Sequence, residues 1–178
     1  MTRRSLDHAL KEAGVSLQAA EIDALMHSYD SLRAFPDVAP CLSAVHEAPD
    51  VTAYVFSNGT HDMVSSSIQN SPELMPYAPA FKGVVLVEEV KKFKPDPAVY
   101  RYLCKKVGKE GKEGDVWLIS GNPFDVVGAR AVGMKAAWVD RAGAGWADCC
   151  VEGEAGGPTV IVRSLKEVLK AVSEHRET

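Results

Sequence analysis

Short apolar runs that end in small polar turns and lead into helical patterns recur along this chain. Residues 51–56 read VTAYVF and break at Ser57-Asn58-Gly59, and residues 116–119 read VWLI and break into a turn that ends at Asp125. Residues 51–56, 83–87, 117–119, 136–139 and 159–162 are predicted strands. Helical spacing of apolar positions predicts helices over 61–70, 96–107, 126–132 and 165–174, with Tyr100 and Leu103 facing inward. Strands that alternate with helices predict an α/β fold with a mostly parallel sheet.

The start of the chain is different, because residues 5–29 are helical in two pieces. Leu6, Ala9, Leu10 and Ala13 share one face that Gly14 ends, and Leu17, Ile22, Leu25 and Met26 begin another. A helical hairpin is expected there. Phe35-Pro36-Asp37 punctuates the chain, and residues 40–48 are a short predicted helix closed before Pro49. The glycine-rich stretch 142–158 opens no helix and lacks a Lys-Ser/Thr pair, so it is read as a loop rather than a phosphate cradle.

Composition narrows the function classes. With 178 residues, 46% hydrophobic and 25% charged, the chain suits one globular core, not a disordered or fibrous protein. A formal charge of -4, with cations scattered except at Lys91, Lys92 and Lys94, leaves no footprint for nucleic acid. Small molecules or proteins are the expected partners. Cys41, Cys104, Cys149 and Cys150 form no C-x-x-C pair, so free thiols in a reducing cytoplasm are expected. No apolar run follows the basic opening residues and none approaches membrane-spanning length, so neither a signal peptide nor a membrane partner is expected.

In an open parallel sheet, ligands bind beyond the carboxyl ends of the strands. Three segments put polar residues there: VFSNG with Ser57 and Asn58, FKPDPAVY with Lys94, and ISGNPFDVVGA with Ser120, Asn122 and Asp125. In this order, and followed by Gly128-Ala129-Arg130, Gly133 and Trp138-Val139-Asp140-Arg141, they resemble the haloacid dehalogenase superfamily. In detail they resemble its type II L-2-haloacid dehalogenase branch, and the resemblance covers nearly the whole chain. It implies a Rossmann-type three-layer sandwich over 36–178, with 1–35 a remnant of a helical cap.

Such enzymes attack substrate with an aspartate carboxylate, forming an ester that water then cleaves. The resemblance makes Lys94 the cation that keeps that carboxylate ionised. Ser57 becomes the hydrogen-bond partner of a substrate carboxylate, and Asn58 part of the halide cradle. Asp125 orients the lysine and helps activate water, while Ser120 and Asn122 complete the hydrogen-bond web. The same residues have ordinary readings too: Ser-Asn-Gly is a good turn, and Asp125 would suit the N-cap of a helix from Val126. A lysine entering a helix N-terminus is electrostatically disfavoured, which makes Lys94 less ordinary. Magnesium-dependent phosphatases of the superfamily carry an aspartate where this chain has Gly121, so no metal or cofactor is expected.

The family's nucleophile, an Asp-x-x-Gly-Thr turn after a first strand, has no counterpart here, and neither does most of the cap. That strand would lie between those ending at Ser57 and Ile119, and its absence leaves a gap of about 9.6 Å with two unpaired edges. Three resolutions are open: the two strands close up, another chain inserts a segment, or copies pair edge to edge as a homodimer or higher assembly. The chain is expected to be inactive or weakly active alone toward a 2-haloacid. A non-catalytic binding or oligomerising module is the alternative, and a superfamily phosphatase the third.

Overall fold

A computed structural model describes residues 3–28 and 33–175. In chain order the elements are α1 (Arg3–Glu12), α2 (Ala19–Ser28), α3 (Val38–Glu47), β1 (Ala53–Ser57), α4 (His61–Asn70), β2 (Phe81–Leu86) and α5 (Pro97–Lys106). Then come β3 (Trp117–Ser120), α6 (Pro123–Arg130), β4 (Lys135–Val139), β5 (Val160–Val162) and α7 (Val168–Glu174). The end of the first predicted helical region, at Tyr29, lies outside the described residues. Among the described residues, no helix is long and apolar enough to cross a membrane.

The predicted alternation of strands and helices holds, and all strand pairs are parallel. Tyr100, Val99, Leu103 and Cys104 of α5 and Val126 and Ala129 of α6 pack on Val85, Leu118, Ala136 and Trp138 of the strands. On the opposite face, Val168 and Val172 of α7 cover Val139 and Val162. Helices therefore cover both faces, the three-layer arrangement that buries a parallel sheet. Only Leu6 of the α1–α2 hairpin is buried, while Val15 and Leu25 stand exposed.

The sheet is split. β1 pairs with β2, and β3-β4-β5 form a second sheet, with no ladder joining β1 to β3 among the described residues. Of the three resolutions open to the sequence, closing up is not the one this chain adopts. Two ion pairs span the divide instead. Lys94, from the segment after β2, meets Asp125 of α6, and Asp37 at the start of α3 meets Arg141 beyond β4. On the α3–α4 side of β1 a cavity of about 420 Å³ remains, lined by Leu42, Val55, Ser57, Val64, Ile68 and Leu165 among others. Ile119, between buried Leu118 and Ser120, is left 37% exposed.

Several boundaries differ from expectation for local reasons. α6 starts at Pro123, not Val126, because proline is tolerated at the first helical position. Asn122 therefore flanks the helix and Asp125 lies inside its first turn, so the N-cap reading of Asp125 does not hold. α3 likewise starts at Val38, with Pro40 within its first turn. β2 begins two residues before the predicted strand, and residues Val87–Glu89 turn into a 3-10 helix. The stretch 142–158 is a loop with one 3-10 turn, and the Asp140 carboxylate accepts the backbone N–H groups of Gly143, Ala144 and Gly145 at its start.

Candidate functional site

The parallel register brings the carboxyl ends of the strands to one edge. Ser57 ends β1 opposite Leu86, and Ser120 ends β3 opposite Trp138. Turns leave both ends at once, and helices begin a few residues later. Thr60 caps α4 by accepting the Met63 N–H, and Asp96 caps α5 by accepting that of Ala98. Pro97 and Pro123 occupy first helical positions, so α5 and α6 both start beside the seam between the half-sheets.

Lys94 is the centre of this edge. Its side chain is 8% exposed, and Nζ donates to the Phe56 carbonyl at 3.0 Å and to Asp125 Oδ2 at 3.1 Å. The ammonium also sits 3.8 Å from the centroid of the Phe56 ring, a cation–π contact. Burial draws the Lys94 pKa down, and the adjacent Asp125 charge and hydrogen bond oppose that shift. Asn58 fixes the lysine backbone, since its side-chain oxygen accepts the Lys94 N–H at 2.9 Å.

Asp125 is buried with both oxygens engaged. Oδ2 accepts from Lys94 and from the Ser120 hydroxyl at 3.2 Å, and Oδ1 accepts from the Tyr100 hydroxyl at 2.8 Å. Ser120 in turn accepts the Asn122 backbone N–H at 3.1 Å. Asn122 thus enters the web through its main chain, while its own residue surface is exposed. The Ser57 hydroxyl accepts the Gly59 N–H at 2.9 Å, and the residue is among those lining the cavity beside α3 and α4. Lys94, Asp125, Ser120, Asn122 and Asn58 form one connected set, and Ser57 adjoins it through the chain as the neighbour of Asn58.

Tyr100 is the member that sequence reasoning assigned only to the core. It is fully buried, and burial together with the Asp125 carboxylate pushes its phenol well above the ordinary value, so it remains a donor. The signal was present: a tyrosine on an inward helix face carries a hydroxyl that needs a buried partner. Its ring lies against Gly128 of α6, where any Cβ would collide with it. The turn after β3 is held from behind by Trp138, whose Nε1 donates to the Gly121 carbonyl at 3.3 Å.

A family model for haloacid dehalogenase-like hydrolases matches residues 2–133. The chain is 30% identical over 143 residues to (S)-2-haloacid dehalogenase 1 of Pseudomonas sp. (strain CBS-3), covering 79% of this chain and 59% of that protein. To (S)-2-haloacid dehalogenase H-109 of Pseudomonas putida it is 30% identical over 168 residues, covering 94% and 69%. It superposes on an L-2-haloacid dehalogenase from Xanthobacter autotrophicus with chloropropionic acid covalently bound, with a TM-score of 0.74 and 24% identity over 96% of this chain and 74% of that one. That last likeness concerns the fold. The chain spans 59% of the length of the first of these relatives. The motif order, the parallel three-layer architecture and these matches agree, and the chain belongs to the haloacid dehalogenase-like hydrolases.

Proposed function

We propose that this chain carries the lysine–aspartate half of a dehalogenase site, for hydrolytic removal of halide from a 2-haloacid through an aspartyl ester. The observation that supports it is Lys94: an ammonium has three N–H donors, and two are taken by Phe56 and Asp125. The third is left for a carboxylate at the seam between β1 and β3. There the lysine would keep an aspartate ionised, the aspartate would displace halide from the substrate carbon, and water would cleave the resulting ester. Asp125, held by Tyr100 and Ser120, positions the lysine and aids the attacking water. Ser57 binds the substrate carboxylate and Asn58 the departing halide.

No Asp-x-x-Gly-Thr turn occurs in the 178 residues, so on this reading the chain alone is inactive or weakly active. Gly121 offers no side-chain carboxylate where a magnesium-dependent phosphatase needs one, which favours halide displacement over phosphoryl transfer. The test is chloride release from L-2-chloropropionate, by the chain alone and with a synthetic strand ending in Asp-x-x-Gly-Thr. Release is expected only with the strand, and Lys94→Met should abolish it. Steady release by the chain alone would overturn the dependence on an added carboxylate.

The open seam and the exposed Ile119 favour a second reading, a module that binds or associates without catalysis. In that case Lys94→Met would leave association unchanged.

A further inference from the structure

The loop after β4 carries two adjacent cysteines, Cys149 and Cys150, both exposed and both free. The other two thiols are unlike them. Cys41 and Cys104 are buried, and burial raises both thiols, that of Cys104 to about 11. Accessible thiol chemistry is therefore concentrated at one dipeptide, which has no part in the roles proposed above for Lys94 and Asp125.

Adjacency limits what this pair can do. Neighbouring Cα atoms are about 3.8 Å apart, whereas ordinary disulfides need about 4.4–6.8 Å, so direct oxidation to a disulfide is disfavoured. A larger, soft centre that accepts two sulfurs has no such restriction, and soft thiolate ligands select such centres. Once one sulfur has bound, the second is held at high effective concentration. The Asp148 carboxylate accepts the Cys150 N–H at 3.0 Å and so holds the backbone between the two.

We infer that Cys149 and Cys150 form a vicinal-dithiol site that chelates a trivalent arsenical. With an organoarsenic oxide, two S–As bonds form and two S–H bonds and the arsenic–oxygen bond break. The two protons leave with the oxygen as water, and the arsenic oxidation state is unchanged. The site communicates with the candidate catalytic edge. Trp146, on the same loop, packs edge-on against Trp138 with centroids 5.0 Å apart, and Trp138 holds the Gly121 carbonyl.

The experiment treats the whole chain with phenylarsine oxide and follows intact mass and tryptophan emission. A single adduct is expected that survives a large excess of glutathione and is removed by 2,3-dimercaptopropanol, with a shift in emission. Cys149→Ser and Cys150→Ser should each lose the glutathione-resistant adduct, while Cys104→Ser retains it. An adduct that glutathione strips from the unsubstituted chain, or that persists in Cys149→Ser, would overturn the chelate. Unchanged emission on binding would overturn the link to the Gly121 turn.

Discussion

The Tyr100 hydroxyl reaches the Asp125 carboxylate because Gly128 has no side chain. A Cβ at position 128 would stand 2.5 Å from the Tyr100 oxygen and 2.6 Å from two ring carbons, inside any tolerable contact. The glycine thus serves close approach of α5 to α6, in a helix where it is otherwise unfavourable. Both helices then deliver their polar groups to one carboxylate.

Gly128→Ala should therefore destabilise the fold by about 1–3 kcal/mol through overpacking, and should also pull Tyr100 from Asp125. Tyr100→Phe alone should cost about 1.5–3 kcal/mol, the range for a hydrogen bond to a charged group. The two changes share one contact, so their effects should sum to more than that of the double variant. Urea denaturation of the three variants measures this, and strict additivity would show that the alanine is accommodated without moving the ring.

Lys94 gives a second prediction. Lys94→Met removes the cation from a buried pair and leaves the Asp125 carboxylate with Tyr100 and Ser120 as its remaining donors. Stranding a buried charge typically costs about 3–5 kcal/mol, more than the pair itself contributes. Asp125→Asn in the Lys94→Met background should recover part of that loss. If the double variant were less stable than Lys94→Met, the uncompensated charge would not be the cause.

Most of this arrangement was legible in the chain. The apolar runs ending at Ser57 and Ser120 placed two strand ends, and the Lys-Pro-Asp-Pro turn placed Lys94 at a helix start. Periodicity assigns Tyr100 to the core and no further, because it reports which way a side chain faces, not what its hydroxyl meets. The start of α6 is hidden from local pattern, because Pro123 reads as a breaker in sequence yet suits a first helical position. The division between β1 and β3 was visible only as a missing strand. That two ion pairs span it depends on contacts between residues as distant as Asp37 and Arg141, which no local pattern encodes.

Asp37 makes the acid limit of stability predictable. It accepts from Arg141 Nε at 3.0 Å and Nη2 at 3.1 Å and from the Leu165 N–H at 2.9 Å, and Arg141 lies against the Phe35 ring. Burial works against its ionisation, but the Arg141 and Leu165 hydrogen bonds together outweigh it and hold the carboxyl below the ordinary 3.8. A carboxyl lower in the folded than in the unfolded chain stabilises the fold above its unfolded value and loses that contribution as pH falls through the folded one. Asp37→Asn should therefore flatten the stability profile below about pH 4 and leave the slope above it unchanged. Because Arg141 is 31% exposed, the loss at neutral pH should be about 2 kcal/mol, less than for a fully buried pair. An unaltered acid limb in urea titrations would rule the pair out as its source.

The seam itself makes the last prediction. Ile119 projects between two buried neighbours on a strand whose β1-facing edge is unpaired, and Val84 of β2 is exposed as well. An open apolar strand edge is a template for pairing with another chain, and a charge placed on it is the usual block. The chain should associate in a concentration-dependent manner, and Ile119→Lys should shift it towards monomer. The substitution lies at a partly exposed position, so its effect on folding stability should stay within about 0.5 kcal/mol. Sedimentation velocity across a dilution series separates the outcomes. A single monomeric boundary at all concentrations would mean that the split sheet is held closed to partners by its two ion pairs. An unchanged oligomer in Ile119→Lys would place the contact elsewhere, with the exposed faces of α1 and α2 the next surface to substitute.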